Sequence, residues 1–204
     1  VGDQGGSSGG SRPRPGAEEG LRRALLVSGH LVDRPGREPP RFPQHRVGAV
    51  TAAIGEVLGE WDVGPETTVI CGGARGADLI GAELALRRKA AVRLCLALPA
   101  EEFARQSVDL PGTDWHDRFE EVRRQADVRL LQSAAEGDEV FARANAWMVG
   151  EALALDASPR AIVVWNGERG DGPGGTDDLV ARLGYALDDP RLRVIHPAIG
   201  MAGT

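Results

Sequence analysis

The residues best equipped for chemistry lie in Cys71-Gly72-Gly73-Ala74-Arg75-Gly76-Ala77-Asp78. Gly72, Gly73 and Gly76 can take positive φ and let a ligand approach bare backbone. The stretch runs from the apolar Thr67–Ile70 into the helix-forming Leu79–Leu86, so it reads as strand, tight turn, helix. Unpaired N–H groups at a helix start, together with the helix dipole, favour an anion. Arg75 adds a forked cation suited to phosphate or carboxylate. Such a turn holds a charged group and breaks no bond by itself. Its alternative is a close-packed connection with no ligand.

Two further glycine turns follow apolar runs. Ser28-Gly29-His30 ends the first run, and Asn166-Gly167-Glu168-Arg169-Gly170-Asp171-Gly172-Pro173-Gly174-Gly175-Thr176 follows a later one. The second again opens a helix, with Thr176 as cap and phosphate partner. His30 is the histidine placed to touch a ligand; His45, His116 and His196 share no ligand spacing with it. The two cysteines, Cys71 and Cys95, each fall inside an apolar run and read as buried free thiols. A disulfide requires their strands to be adjacent. No metal site or cofactor is expected. The first run lacks G-x-G-x-x-G and no P-loop occurs, so NAD reduction and ATP hydrolysis by those routes are not expected.

Elements that position these turns can be read from pattern. Ala24–Val27, Thr68–Cys71, Val92–Leu98, Val128–Leu131 and Ala161–Trp165 are apolar runs suited to buried parallel strands, with a last short strand at Arg191–Ile195. Between them lie helical patterns at His45–Trp61, the stretch after Asp78, Glu101–Ser107, a segment capped by Asp114 and running to Gln125, Phe141–Leu155, and Thr176 to about Leu187. The alternation predicts an α/β fold: a Rossmann-like open parallel sheet of five to six strands with helices on both faces. A strand order of 3-2-1-4-5 would place strands one, two, four and five near the switch point, where ligands bind. Leu31–Gln44 holds four prolines and reads as a loop; Arg34, Arg37 and Arg41 in it are candidates for a pocket rim, with solvated loop charges the favoured reading.

The whole chain bounds the answer further. It has 204 residues and a formal charge of −6, which disfavours general nucleic-acid or membrane binding. No apolar run approaches the ~18 residues of a membrane helix and no signal peptide is seen, so a cytoplasmic location is expected. Residues 1–20 are rich in Gly, Ser and Pro and read as a flexible linker to an upstream domain. Residues 21–197 form one domain, and 198–204 read as a flexible tail.

The motif Cys71–Asp78 resembles the glycine turn of the SLOG superfamily, which unites the Smf/DprA proteins with the lonely-guy phosphoribohydrolases. Pro173-Gly174-Gly175-Thr176 resembles the P-G-G turn of the second branch, and Phe141-Ala142-Arg143-Ala144-Asn145 is similar to an F-x-x-R-N segment of the first. The resemblance implies a nucleotide-binding Rossmann-like domain, closest to the sensor-type members of bacterial conflict systems. By that resemblance Gly72, Gly73, Arg75, Gly76 and Asp78 line one side of a pocket; Ala74 of the same turn and Ser28, Gly29 and His30 of the first glycine turn are further candidate ligand contacts. Gly174, Gly175 and Thr176 then hold a phosphate, and Asn145 offers its amide to ribose or base. The glutamate that the phosphoribohydrolases carry three residues after the turn threonine is missing; Leu179 and Val180 stand there. The expectation is therefore a sensor of a nucleotide-derived signal, passing occupancy to an upstream effector in the same chain, with homodimers possible as in the family. The alternatives are a nucleotide N-glycosidase using Asp78, Asp177 or Asp178, with no catalytic pair assignable, and a DprA-like single-stranded DNA binder. Acidic charge and few aromatics weigh against the last.

Overall fold

The computed structural model describes residues 23–132, 139–170 and 172–198. The expected linker at 1–20 and the tail, apart from its first residue Ala198, lie outside the described residues. Six strands form one all-parallel sheet: β1 (Arg23–Gly29), β2 (Thr67–Cys71), β3 (Ala91–Leu96), β4 (Asp127–Leu130), β5 (Arg160–Val164) and β6 (Leu192–Ile195). The helices are α1 (Val47–Glu60), α2 (Ala77–Arg87), α3 (Ala100–Phe103), α4 (Trp115–Gln125), α5 (Glu139–Leu155) and α6 (Thr176–Leu183). The expected Rossmann-like α/β fold is observed.

Period-two burial divides the core. Leu25, Val27, Val69, Cys71, Leu94, Leu96, Ile162 and Val164 face α1, α2 and α4; Ala24, Leu26, Ile70, Cys95, Ala161 and Val163 face α5 and α6. Both faces of the sheet are therefore covered, which is why these strands read as continuous apolar runs. The same alternation settles the thiols. β2 and β3 are neighbours, but Cys71 sits beside Leu94 and Cys95 points to the opposite face, so both thiols are free and buried. Burial pushes the Cys95 thiol up to about 12.

Strand order is 4-3-2-1-5-6, which corrects the expected placement of the fourth strand beside the first. β1 to β4 step outward one strand at a time, with α1, α2 and α4 on one face. α5 then crosses the other face and delivers β5 beside β1. Right-handed crossovers require the helices to change face when the direction of stepping reverses. β4 is fit for an edge: its Asp127 and Arg129 alternate with half-exposed apolar residues. The switch point therefore lies between β1 and β5.

Several boundaries differ from expectation. Glu101–Ser107 is helical as expected, but its hydrogen bonding changes: α3 passes directly into a π-helical turn at Ala104–Val108. Asp114 stands at the start of α4 without a capping side-chain bond. α6 stops at Leu183, where Gly184 turns left-handed with φ 66°. Its cap position is Gly175, and Thr176 is the first helical residue.

Candidate functional site

A cavity of about 460 Å³ opens at the carboxyl ends of β1 and β5. Ser28, Gly29 and His30 form its base from β1; Asn145 enters from α5; Gly174, Gly175 and Thr176 contribute the start of α6; Arg75 comes from the β2–α2 turn. A smaller recess of about 100 Å³ continues inward past Ser28, Gly29 and Asn145 to Gly72, Ala74 and Asp78. Gly73 and Gly76 line neither. Gly73 lies against Leu94, Leu96 and Phe119, and Gly76 takes φ +105° in close contact with the first loop, so that a Cβ there would stand 2.7 Å from the His30 carbonyl oxygen. The glycine at 76 is thus required by packing of the turn onto Leu31, with which it forms an isolated bridge.

The β2–α2 turn uses its own donors. Asp78 is buried, and its Oδ2 accepts Gly72 N at 3.0 Å and Ala74 N at 3.4 Å. Arg75 N donates to the Ser107 carbonyl at 3.0 Å. These turn N–H groups are satisfied inside the protein. Burial pushes the Asp78 carboxyl up to about 7, opposed by the N–H donors and the Ser28 side chain, which favour the ionised form. Asp78 therefore fixes the shape of the turn, and its carboxyl reaches the inner recess.

Arg75 is the exceptional side chain. It is 4% exposed, its Nε donates to the Val32 carbonyl at 2.9 Å, and its buried Nη1 has no hydrogen-bond partner. Burial, and then the charge of Arg34, lower its pKa from the ordinary value, although a guanidinium remains charged near neutrality. Arg34, Arg37 and Arg41 also line the cavity, where sequence reasoning favoured solvated loop charges. Asp33 is the one carboxylate among the described lining residues. It is engaged by Arg41 N and Phe42 N, each at 2.9 Å, and by Arg37 at 3.6 Å. Among the described lining residues four arginines stand with one aspartate, which is already folding the loop.

The opposite wall is held from below. Asn145 is 6% exposed, and its Nδ2 donates to the carbonyls of Gly174 and Gly175 at 3.1 and 3.2 Å and to Asp178 Oδ2 at 2.9 Å. Its amide N–H groups brace the α6 turn. Gly174 has φ +80°, and a Cβ there would overlap the backbone of Phe141 and Ala142. His30 joins the walls: its Nε2 lies 2.8 Å from Asn166 Oδ1 and its Nδ1 3.4 Å from Thr176 Oγ1. Asn166 N also lies 3.3 Å from Nε2, so either tautomer of the neutral ring finds a donor or acceptor on both loops. Burial lowers the His30 pKa, consistent with this neutral ring. Arg41 Nη2 donates to the Arg169 carbonyl at 2.9 Å and ties the first loop to the glycine-rich one.

Lining residues that the sequence reading did not assign to the site include Asp33, Gln106, Ser107 and Phe141. Phe141 carried a signal, since it opens the F-x-x-R-N-like segment. Asp33, Gln106 and Ser107 carried none, and Asn166, two residues past β5, meets His30 without lining the cavity. Asp177 and Asp178 do not line the cavity. Asp177 accepts Gly170 N at 2.9 Å, and Asp178 is shared by Asn145 and by Arg182 at 2.8 Å. Among the described residues no cluster of three or more His, Cys, Asp or Glu could hold a metal ion, and no helix is long and apolar enough to cross a membrane. The site is that of a Rossmann-like protein with a cationic cavity at its switch point. No protein-family model matches the chain, and no curated protein matches it significantly.

Proposed function

We propose that this chain is a ligand-binding sensor domain for a nucleotide-derived anion, and that it passes occupancy of the cavity to an attached effector. The observation that carries the reading is Arg75: a buried guanidinium with an unpartnered Nη1, in the wall of a cavity at the β1–β5 switch. Burying a charge without a partner is costly, and a phosphate group would supply the missing acceptor. The start of α6 offers a second source of positive potential. The volume suits a nucleotide-sized ligand, since such sites span roughly 300–1,000 Å³. Membership of the SLOG superfamily is part of this proposal and rests on the glycine motifs around Gly72–Asp78 and Pro173–Thr176.

Binding without turnover is favoured by the positions of the carboxylates. Cleavage of an N-glycosidic bond needs a placed carboxylate against an oxocarbenium-like centre. Asp177 and Asp178 are engaged elsewhere, and Asp78 is occupied by its own turn. The test is thermal shift with mono-, di- and cyclic nucleotides, NAD and ADP-ribose, followed by chromatography of each sample. Stabilisation with intact ligand, lost in Arg75→Ala, is expected. Release of free base would make the protein a nucleotide N-glycosidase. Absence of any shift would overturn the ligand-binding reading.

A further inference from the structure

β4 ends the sheet, and its outer side is shaped to receive one particular strand. Leu131 N donates to the Leu96 carbonyl at 2.9 Å, and Leu96 stands beside Leu130 in the register. In a parallel ladder alternate residues point at the neighbour. Residues 129 and 131 therefore face β3, while the N–H and C=O of Val128 and Leu130 face outward. The Leu130 carbonyl is met by the Gln132 side chain at 3.3 Å. Val128 and Leu130 are 40% and 42% exposed, on the face opposite Asp127 and Arg129. An edge that no described strand covers, with two apolar side chains on it, is a template for another strand.

We propose that this edge binds β4 of a second copy of the chain, antiparallel, with the twofold axis through Val128. In that register the two Val128 residues exchange both backbone hydrogen bonds, and Leu130 N reaches the Ala126 carbonyl of the second copy. Ala126 N is already used by the Val122 carbonyl at 3.0 Å, and it is not needed because Gln132 occupies the Leu130 oxygen. Charge selects the register. Asp127 of each copy lies opposite Arg129 of the other, on one face, while Val128 meets Val128 and Leu130 meets Ala126 on the opposite face. A shift of one residue in the summed register places Asp127 opposite Val128 or Leu130 and loses the pairing. Asp127 and Arg129 are half-exposed, and each already belongs to a local network with Arg93 and Glu151 that orients it. Cross-strand opposite charges stabilise and like charges oppose pairing. A four-residue edge is a small contact, so the affinity belongs to the weak, transient class.

Sedimentation velocity of the full chain over a concentration series tests this. The wild type is expected to show a monomer–dimer equilibrium in the micromolar range. Asp127→Arg sets arginine against arginine and Arg129→Asp sets aspartate against aspartate, so each variant alone is expected to be monomeric. Mixed in equal amounts, the two are complementary at both pairs and are expected to dimerise. Val128→Lys, which brings like charges to the axis, keeps the test available if either reversal fails to fold. A wild type that stays monomeric, or dimers that persist in the single variants or in Val128→Lys, would overturn the proposal. So would a folded, equal mixture that does not associate.

Discussion

Arg75 Nε donates to the Val32 carbonyl at 2.9 Å, and this bond turns the guanidinium along the first loop while leaving Nη1 without a partner. The cation is thus held in place before any ligand arrives, which lowers the ordering cost of binding. Arg75→Met removes a buried charge whose Nη1 has no hydrogen-bond partner. The unliganded variant is expected to match or exceed the wild type in stability, by about 1 kcal/mol, because apolar replacements of buried ions are often neutral or stabilising. The same variant should lose the thermal shift given by pyrophosphate. A large drop in unliganded stability would show instead that Arg75 serves only the fold.

Asp78 predicts a pH dependence with a definite sign. Its folded-state pKa is raised from 3.8 to about 7, so the folded chain keeps a proton that the unfolded chain loses. Its contribution is full below 3.8 and is lost as pH rises through about 7. One such proton gives a slope of at most about 1.4 kcal/mol per pH unit. Urea midpoints measured from pH 5 to 8 should fall more steeply in the wild type than in Asp78→Asn. Equal slopes would remove Asp78 as the source.

His30 shifts the other way. Burial lowers its pKa below 6.5, so the stability tied to its neutral form is present above 6.5 and is lost as pH falls through the folded value. Titration of the ring by NMR should give a value below 6.5 in the free protein. Pyrophosphate beside Thr176 should raise it, because an anion favours the imidazolium. No change on adding a bound anion would place the ligand away from the α6 turn.

Much of this was legible in the sequence, for reasons that differ by element. Ala24–Val27 and Ala161–Val164 announce themselves because both faces of those strands are covered, and α1 shows its buried Val50, Ile54, Val57 and Leu58 at helical spacing. β4 was found but misplaced. Local pattern reports that a strand exists, whereas its neighbour is set by the hand of the crossover. The glycine turns were visible because backbone geometry demands those residues. The bonds from His30 to Asn166 and from Arg41 to Arg169 join loops more than 120 residues apart, and no periodicity records them. Asp78 marked a helix start, yet nothing local said that its carboxylate folds back onto Gly72.

Asn145 braces the α6 turn with three acceptors. Asn145→Ala leaves the Gly174 and Gly175 carbonyls and Asp178 short of a donor, at an expected cost of about 1–3 kcal/mol. Chemical denaturation measures that term. Calorimetry with pyrophosphate should show weaker binding than the wild type, although the side-chain amide N–H groups point at the turn and not at the ligand.

Gly174→Ala places a Cβ into the backbone of α5 at a residue with φ +80°. A loss of at least about 1–3 kcal/mol is expected from strain alone. Gly150→Ala, where a Cβ meets open space, should instead be neutral or stabilising by up to about 1 kcal/mol. Melting temperatures of the two variants, compared side by side, check the contrast.

α5 reaches from one end of the sheet to the other. In its second turn Asn145 grips the α6 turn, and just past its last residue Asp156 Oδ2 accepts Ala24 N at 3.2 Å, near the start of β1. Its 17 residues make a rod about 25 Å long. The rod touches the cavity wall at one tip and the entering strand at the other, so the two ends share a single stiff linkage. A tug on the glycine turn cannot be taken up locally without also loading the joint at Ala24.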